Sequence, residues 1–255
     1  MSRLMIVPAA GAGTRLGSTL PKLLVPVGGQ PMIDHLVARY GPFVDQFILV
    51  VSPAAKAAVR AHFPDGPRIV LDIQPTPTGM LDAILIPTSH VRNMNVDEIW
   101  ITWCDQVAIR PETAGRLAEV MAHPPAPDLA LPTVIQSEPY IHFDRGEGGR
   151  ISHVRQRREG DVMPADGEGD SGLFALSRRA YLEWLPEFEQ SAPTGGLTGE
   201  RNFLPFIPWV ADRAEVRTFA VTHTMEATGI NTPAELERVE AFLRDQDTQY
   251  RHPGV

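Results

Sequence analysis

Residues 6–31 read IVPAAGAGTRLGSTLPKLLVPVGGQP. An apolar run ends in small residues, Gly11 and Gly13 interrupt it, and Arg15 and Lys22 follow. Glycine lets the backbone turn sharply and lets ligand oxygens approach the N–H groups. A helix starting near Thr14 would add the positive end of its dipole. The chemistry this suggests is anion binding, with Ala10, Gly11, Ala12, Gly13 and Thr14 as the cradle. Arginine forks onto phosphate oxygens and lysine supplies a compact point charge, so the two together suit several phosphates. Taken singly, each feature has a plainer explanation: a strand-to-helix turn, or a solvated charge. The letters exclude two better-known loops. A P-loop needs Gly-x4-Gly-Lys-Ser/Thr, which is absent. A dinucleotide fingerprint needs Gly-x-Gly-x-x-Gly and an acid ending the second strand. Here position 16 is Leu, Gly17 comes one residue late, and the second strand ends in Ser52.

Other residues stand where chemistry is plausible. Asp105 follows the apolar run EIWITWC. A carboxylate at the end of a buried strand is costly unless something pairs with it. Open α/β sheets bind ligands at the carboxyl ends of their strands, and a magnesium ion bridging phosphates would satisfy Asp105. Its rival role is helix N-cap before Pro111. Asn231 precedes an amphipathic segment, and asparagine is also well suited to capping. Gln74 and Gly79, in QPTPTG, read equally as a capped helix start. Arg155, Arg157 and Arg158 read as a basic run in solvent. Cys104 sits in the same apolar run as Trp100 and is expected to be a buried, inert thiol.

These residues need a scaffold, and the hydrophobic pattern supplies one. Short apolar runs at 4–10, 47–52, 68–73 and 98–104 read as buried strands. Between them, 31–40, 53–62, 78–88 and 111–121 carry helical spacing. Strands alternating with helices predict a mostly parallel sheet with helices on both faces. A loop at 123–128 (HPPAPD) precedes a strand at 129–135. The Gly- and charge-rich stretch 140–169 fits a charged hairpin or a loop. A strand at 171–176, a helix at 178–185 and an amphipathic helix at 232–249 complete the pattern. The 255 residues suit one domain, 1–255, with a first part over about 1–110 and a second over about 111–225 before the C-terminal helix.

Composition narrows the partners. A net charge of −8 argues against a non-specific nucleic-acid binder. No run approaches the roughly 18 apolar residues of a membrane span, and no signal peptide is evident, so a cytoplasmic protein is expected. The single cysteine excludes an internal disulfide.

The stretch AAGAGTRLGSTLPKLLVPVGGQPMIDH resembles the signature of the sugar-1-phosphate nucleotidyltransferases, Gly-x-Gly-Thr-Arg followed by Pro-Lys. The resemblance implies a Rossmann-like three-layer α/β/α nucleotidyltransferase fold with a mostly parallel mixed sheet. It implies that the loop holds a nucleoside triphosphate and that Arg15 and Lys22 neutralise the departing pyrophosphate. QPTPTGMLDAI resembles the base-recognition segment, which implies that Gln74 and Gly79 meet a pyrimidine. Asp105 matches the metal-binding aspartate. Gly229-Ile230-Asn231 resembles the second metal position of the N-acetylglucosamine-1-phosphate uridylyltransferases, implying Mg2+ on Asp105 and Asn231. The acceptor region departs from the family: Arg155 and Arg157 stand where a glutamate and a lysine are usual, and Asp170-Ser171-Gly172 replaces Asn-Thr-Gly. Arg157 would then hold the acceptor phosphate, and Arg155, Asp170 and Gly172 would face the sugar. The implied substrates are a pyrimidine triphosphate, UTP before dTTP, and a sugar-1-phosphate. No hexapeptide repeat is present, so the acyltransferase activity of the family's bifunctional members is not expected. Two other readings stay open: a cytidylyltransferase acting on a non-sugar phosphate, and a non-catalytic nucleotide-binding module.

Overall fold

The computed structural model describes residues 1–11, 13, 16–64 and 68–251, with side chains as far as residue 246. Alternating apolar side chains build it from the first strand outward. In β1 (Arg3–Ala9), Met5, Val7 and Ala9 enter one core while Leu4 and Ile6 enter a second. A strand buried on both faces must sit inside a sheet with layers on either side. After it come the short β2 (Pro26–Val27) and β3 (Gln30–Pro31), then α1 (Met32–Tyr40), β4 (Gln46–Val51), α2 (Lys56–His62) and β5 (Ile69–Ile73). Two short helices, α3 (Met80–Leu85) and α4 (Thr88–Arg92), lead into β6 (Glu98–Thr102) and α5 (Pro111–Ala122). The second half contains β7 (Leu129–Ser137), the hairpin β8 (Ile141–Arg145) and β9 (Ile151–Gln156), then β10 (Asp166–Asp170) and β11 (Leu173–Ser177). It ends with α6 (Leu185–Glu189), α7 (Phe206–Ala211), β12 (Val216–Ala220) and α8 (Pro233–Arg251).

The central sheet runs β10-β7-β11-β6-β1-β4-β5, with β12 on the other side of β7. β6, β1, β4 and β5 are mutually parallel; β10 and β11 run antiparallel to β7, and β11 also to β6. This is the mostly parallel mixed sheet that the resemblance implies. One core packs α1, α5 and Val239 of α8 against one face, and the other packs α3, α4, α6 and α7 against the opposite face. That gives the three layers.

From β1 the chain steps to β4 on one side and later to β6 on the other. The strand order therefore reverses around β1, which opens a crevice at the carboxyl ends of β1 and β6.

Several elements differ from the sequence pattern. The expected helix over 78–88 is divided at Pro87, which caps α4 because proline cannot continue the hydrogen-bond ladder of α3. The stretch 140–169 contains a hairpin and also β10, whose Asp-Gly-Glu-Gly-Asp sequence has little β propensity. Pairing to Thr133–Ser137 makes it a strand: a Cβ on Gly167 or Gly169 would lie 2.5 Å from His142 or 2.6 Å from the Ile141 carbonyl. The helix expected at 178–185 begins as a π-turn over Ala180–Trp184 before α6. The pattern gave no sign of α7 or β12. No helix among the described residues is long and apolar enough to cross a membrane.

Candidate active site

A cavity of about 1100 Å3 opens at the crevice. The segments that follow β1 and β6 line it, with Ala10, Gly11 and Gly13 after the first and Trp103, Cys104, Asp105 and Gln106 after the second. Burial pushes the Cys104 thiol up to about 12, with the Asp105 charge beside it adding to the effect. It is the inert thiol the sequence suggests.

Three side chains from distant parts of the chain meet here. Lys22 stands at the start of a short 3-10 turn, Lys22–Leu24, whose Leu23 is fully buried and fixes its direction. Its Nζ donates to Asp105 Oδ2 at 2.5 Å and to Asn231 Oδ1 at 2.9 Å. The Lys22 and Asp105 side chains are only 12% and 13% exposed. Gly13 makes the approach possible. It has φ +60°, and a Cβ there would stand 3.0 Å from Lys22 Cβ. The loop carrying Asn231 is tied to the strand carrying Asp105, because Ile230 N donates to the Asp105 carbonyl at 3.2 Å. Gly229 has no side chain to press on the carboxylate, whose atoms lie 3.4 Å from where its Cβ would be.

The geometry settles two alternatives. Thr232, not Asn231, caps α8: its Oγ1 accepts from Glu235 N at 3.3 Å. Glu235 Oε2 in turn accepts from Asn231 N and Thr232 N, both at 2.8 Å. This is a capping box written Thr-Pro-Ala-Glu. It leaves the Asn231 side chain for Lys22. Asp105 caps nothing either, since α5 starts after Arg110 without a side-chain cap.

Gln74 directly follows β5, is 5% exposed, and donates from Nε2 to the Gly79 carbonyl at 3.2 Å. Both residues line the cavity. Gly79 has φ +136°, and a Cβ there would lie 2.2 Å from the Arg201 carbonyl oxygen. The close approach that demands glycine is therefore made by the chain's own 201 segment, which bonds to Thr78 and Leu81.

On the acceptor side, Asp170 lines the cavity and accepts from Gly172 N at 2.7 Å. Burial raises its carboxyl to about 6, against the pull of that N–H. Gly172, at φ +76°, leaves room for Trp103 and Gln106, which would lie 2.5–2.8 Å from a Cβ.

The structure does not bring Arg155 or Arg157 to the cavity wall. Arg155 Nε donates to Asp144 Oδ2 at 2.8 Å across the hairpin, and Arg157 Nε donates to the Pro139 carbonyl at 3.3 Å. Arg158 lines the cavity instead, with Nη2 on Glu200 Oε1 at 2.7 Å. Reading the basic run one residue later would have found it. Trp103, Gln106, Tyr140 and Asn202 also line this end. Trp103 and Gln106 flank Asp105 in the segment the sequence singled out, Tyr140 and Asn202 belong to no motif, and the four meet only through the fold. Ala12, Thr14 and Arg15 lie outside the described residues.

Asp105 and Asn231 offer hard oxygen donors that already converge on one cation, the Lys22 ammonium. Such a pair fits magnesium, which takes one or two protein ligands and fills its octahedron with water and phosphate oxygens. Among the described residues no group of three or more His, Cys, Asp or Glu forms an all-protein metal cage.

Comparison with known proteins bears on the fold and the family. A solved structure of CMP:2-keto-3-deoxy-manno-octonic acid synthetase complexed with CTP superposes with a TM-score of 0.68 at 20% identity, covering 96% of this chain and 100% of that one. The fold is therefore shared. "Bifunctional protein GlmU" of Acidithiobacillus ferrooxidans is 28% identical over 246 residues, 95% of this chain and 52% of the relative. GlmU of Stutzerimonas stutzeri is 29% identical over 245 residues, 94% of this chain and 52% of the relative. The chain thus spans about half the length of these curated relatives. Residues 5–193 match the MobA-like NTP transferase domain, and the chain belongs to that family.

Proposed function

We propose that the protein transfers a nucleotidyl group from a pyrimidine triphosphate, UTP before dTTP, to a sugar-1-phosphate, releasing pyrophosphate. The observation that carries this reading is the meeting of Lys22, Asp105 and Asn231 beside the glycine loop. A phosphate oxygen of the acceptor attacks the α-phosphorus in line, and the bond to the β-phosphate oxygen breaks. The attacking monoester is already anionic near neutral pH, its second pKa being about 6, so no general base is required. Catalysis is positioning and charge stabilisation.

Residues 10–14 cradle the triphosphate, with Arg15 and Lys22 drawing charge toward the leaving group. Gln74 meets the base edge, and the Gly79 carbonyl fixes its amide. At the acceptor end Arg158 takes the role first expected of Arg157. Asp170 accepts from a sugar hydroxyl, beside Trp103 and Gln106, which Gly172 allows to pack close. Asp105 and Asn231 hold Mg2+, which when bound neutralises phosphate charge between the two substrates.

The test is pyrophosphate release with magnesium across UTP, dTTP, CTP, ATP and GTP against a panel of sugar-1-phosphates and non-sugar phosphates. A dominant signal with UTP or dTTP and one sugar-1-phosphate is expected. A signal confined to CTP with a non-sugar phosphate would replace this reading with cytidylyl transfer. Binding of UTP without any turnover would make the chain a nucleotide-binding module.

A further inference from the structure

The ammonium of Lys22 lies between the two oxygens assigned to the metal. It contacts Asp105 Oδ2 at 2.5 Å and Asn231 Oδ1 at 2.9 Å, and its stem passes Gly13 where any side chain would press on it. The arrangement is built rather than incidental. Leu23 anchors the turn, Gly229 keeps clear of the carboxylate, and Glu235 holds the backbone of residues 231 and 232. A lysine cation and a divalent ion cannot share this position. Both would draw on the Asp105 carboxylate and on Asn231 Oδ1, and like charges so close, in a site this shielded from water, repel strongly. The lysine stem is long and flexible, so the ammonium can leave if offered other anions.

We propose that Lys22 is a tethered cation that fills the metal position in the nucleotide-free protein. The divalent ion then enters only with the triphosphate, whose oxygens give the ammonium a second place to bind. One residue thereby serves two states. It neutralises Asp105 before substrate arrives, and it neutralises phosphate afterwards. This rests on the reading of Asp105 and Asn231 as the metal position.

The test uses Mn2+ as the probe, without nucleotide, and measures free Mn2+ by electron paramagnetic resonance. The proteins are wild type, Lys22→Met, Lys22→Gln and the double variant Lys22→Met/Asp105→Asn, each checked by thermal melt. The two single variants guard against one failing to fold. Lys22→Met and Lys22→Gln are expected to bind one Mn2+ at least roughly tenfold more tightly than wild type, a difference of about 1.4 kcal/mol. The double variant is expected to lose that site. Wild type binding Mn2+ as tightly as the single variants would overturn the inference and leave the metal assignment standing. No Asp105-dependent Mn2+ site in any protein would overturn both.

Discussion

A carboxylate buried in a cavity wall carries its own signature. Asp170 accepts from Gly172 N, and burial raises it to about 6. A carboxyl raised in the folded state favours folding while protonated. That contribution is complete below the unfolded value near 3.9 and is lost as pH rises through about 6. Asp170→Asn keeps the shape and the Gly172 contact but cannot ionise. The contribution lost is about 2 kcal/mol between pH 4 and pH 7, so the variant's melting temperature relative to wild type should climb by roughly 4–9 °C over that range. A difference that stays constant across that range would show that Asp170 does not feel its surroundings in this way. Residue types and positions suggested Lys22 and Asp105; the family resemblance singled out Asn231 and Gln74, which alone read as an N-cap and a capped helix start. Neither revealed that Arg158 lines the cavity while Arg155 and Arg157 bond elsewhere. That choice is made where β9 ends at Gln156 and the chain turns.

At the scale of elements, two devices hold the site. The first is the Thr232–Glu235 box, which caps α8 and aims Asn231. Glu235→Ala should cost about 1 kcal/mol in urea unfolding, the ordinary worth of such a cap. It should also lower turnover more than Glu240→Ala, a change on the same helix that removes a bond to Gly28 N. Equal turnover in the two variants would mean that the cap does not position Asn231. The second is the seam between Gly79 and residue 201. Gly79→Ala would push a methyl group onto backbone atoms and impose a positive φ on a residue with a side chain, so a loss of at least about 3 kcal/mol is expected. An unchanged unfolding midpoint would contradict it. In the sequence Asn231 stood as the candidate cap, and the Thr-Pro-Ala-Glu box that begins one residue later went unseen. The seam was not legible either, because Gly79 and Arg201 are far apart in sequence, and only the finished fold shows what presses on the glycine.

Across the whole molecule, the alternation of apolar strands and helices was enough to indicate the parallel part of the sheet, from β1 to β6. The second half was harder to read. β10 is rich in glycine and acids, α7 is six residues long, and β12 is a short strand on the outer side of β7, so local preference says little about any of them. The crevice takes its walls from both halves, so a bound nucleotide should stabilise the molecule as a unit. Magnesium and UTP at a hundredfold excess over their dissociation constant should add about 2.7 kcal/mol, read as a rise of several degrees in melting temperature. ATP at the same concentration should add less if Gln74 selects a pyrimidine. Equal shifts for the two nucleotides would remove Gln74 from base recognition.

The central claim is that Lys22, Asp105 and Asn231 form the centre of nucleotidyl transfer. The most direct measurement compares pyrophosphate release by wild type and Asp105→Asn, with magnesium, UTP and the best acceptor, alongside their melting curves. A fall of about a hundredfold or more, with folding intact, is the predicted result, the scale expected when charge stabilisation at a transition state is removed. Turnover within a few-fold of wild type would place the chemistry elsewhere and contradict the account.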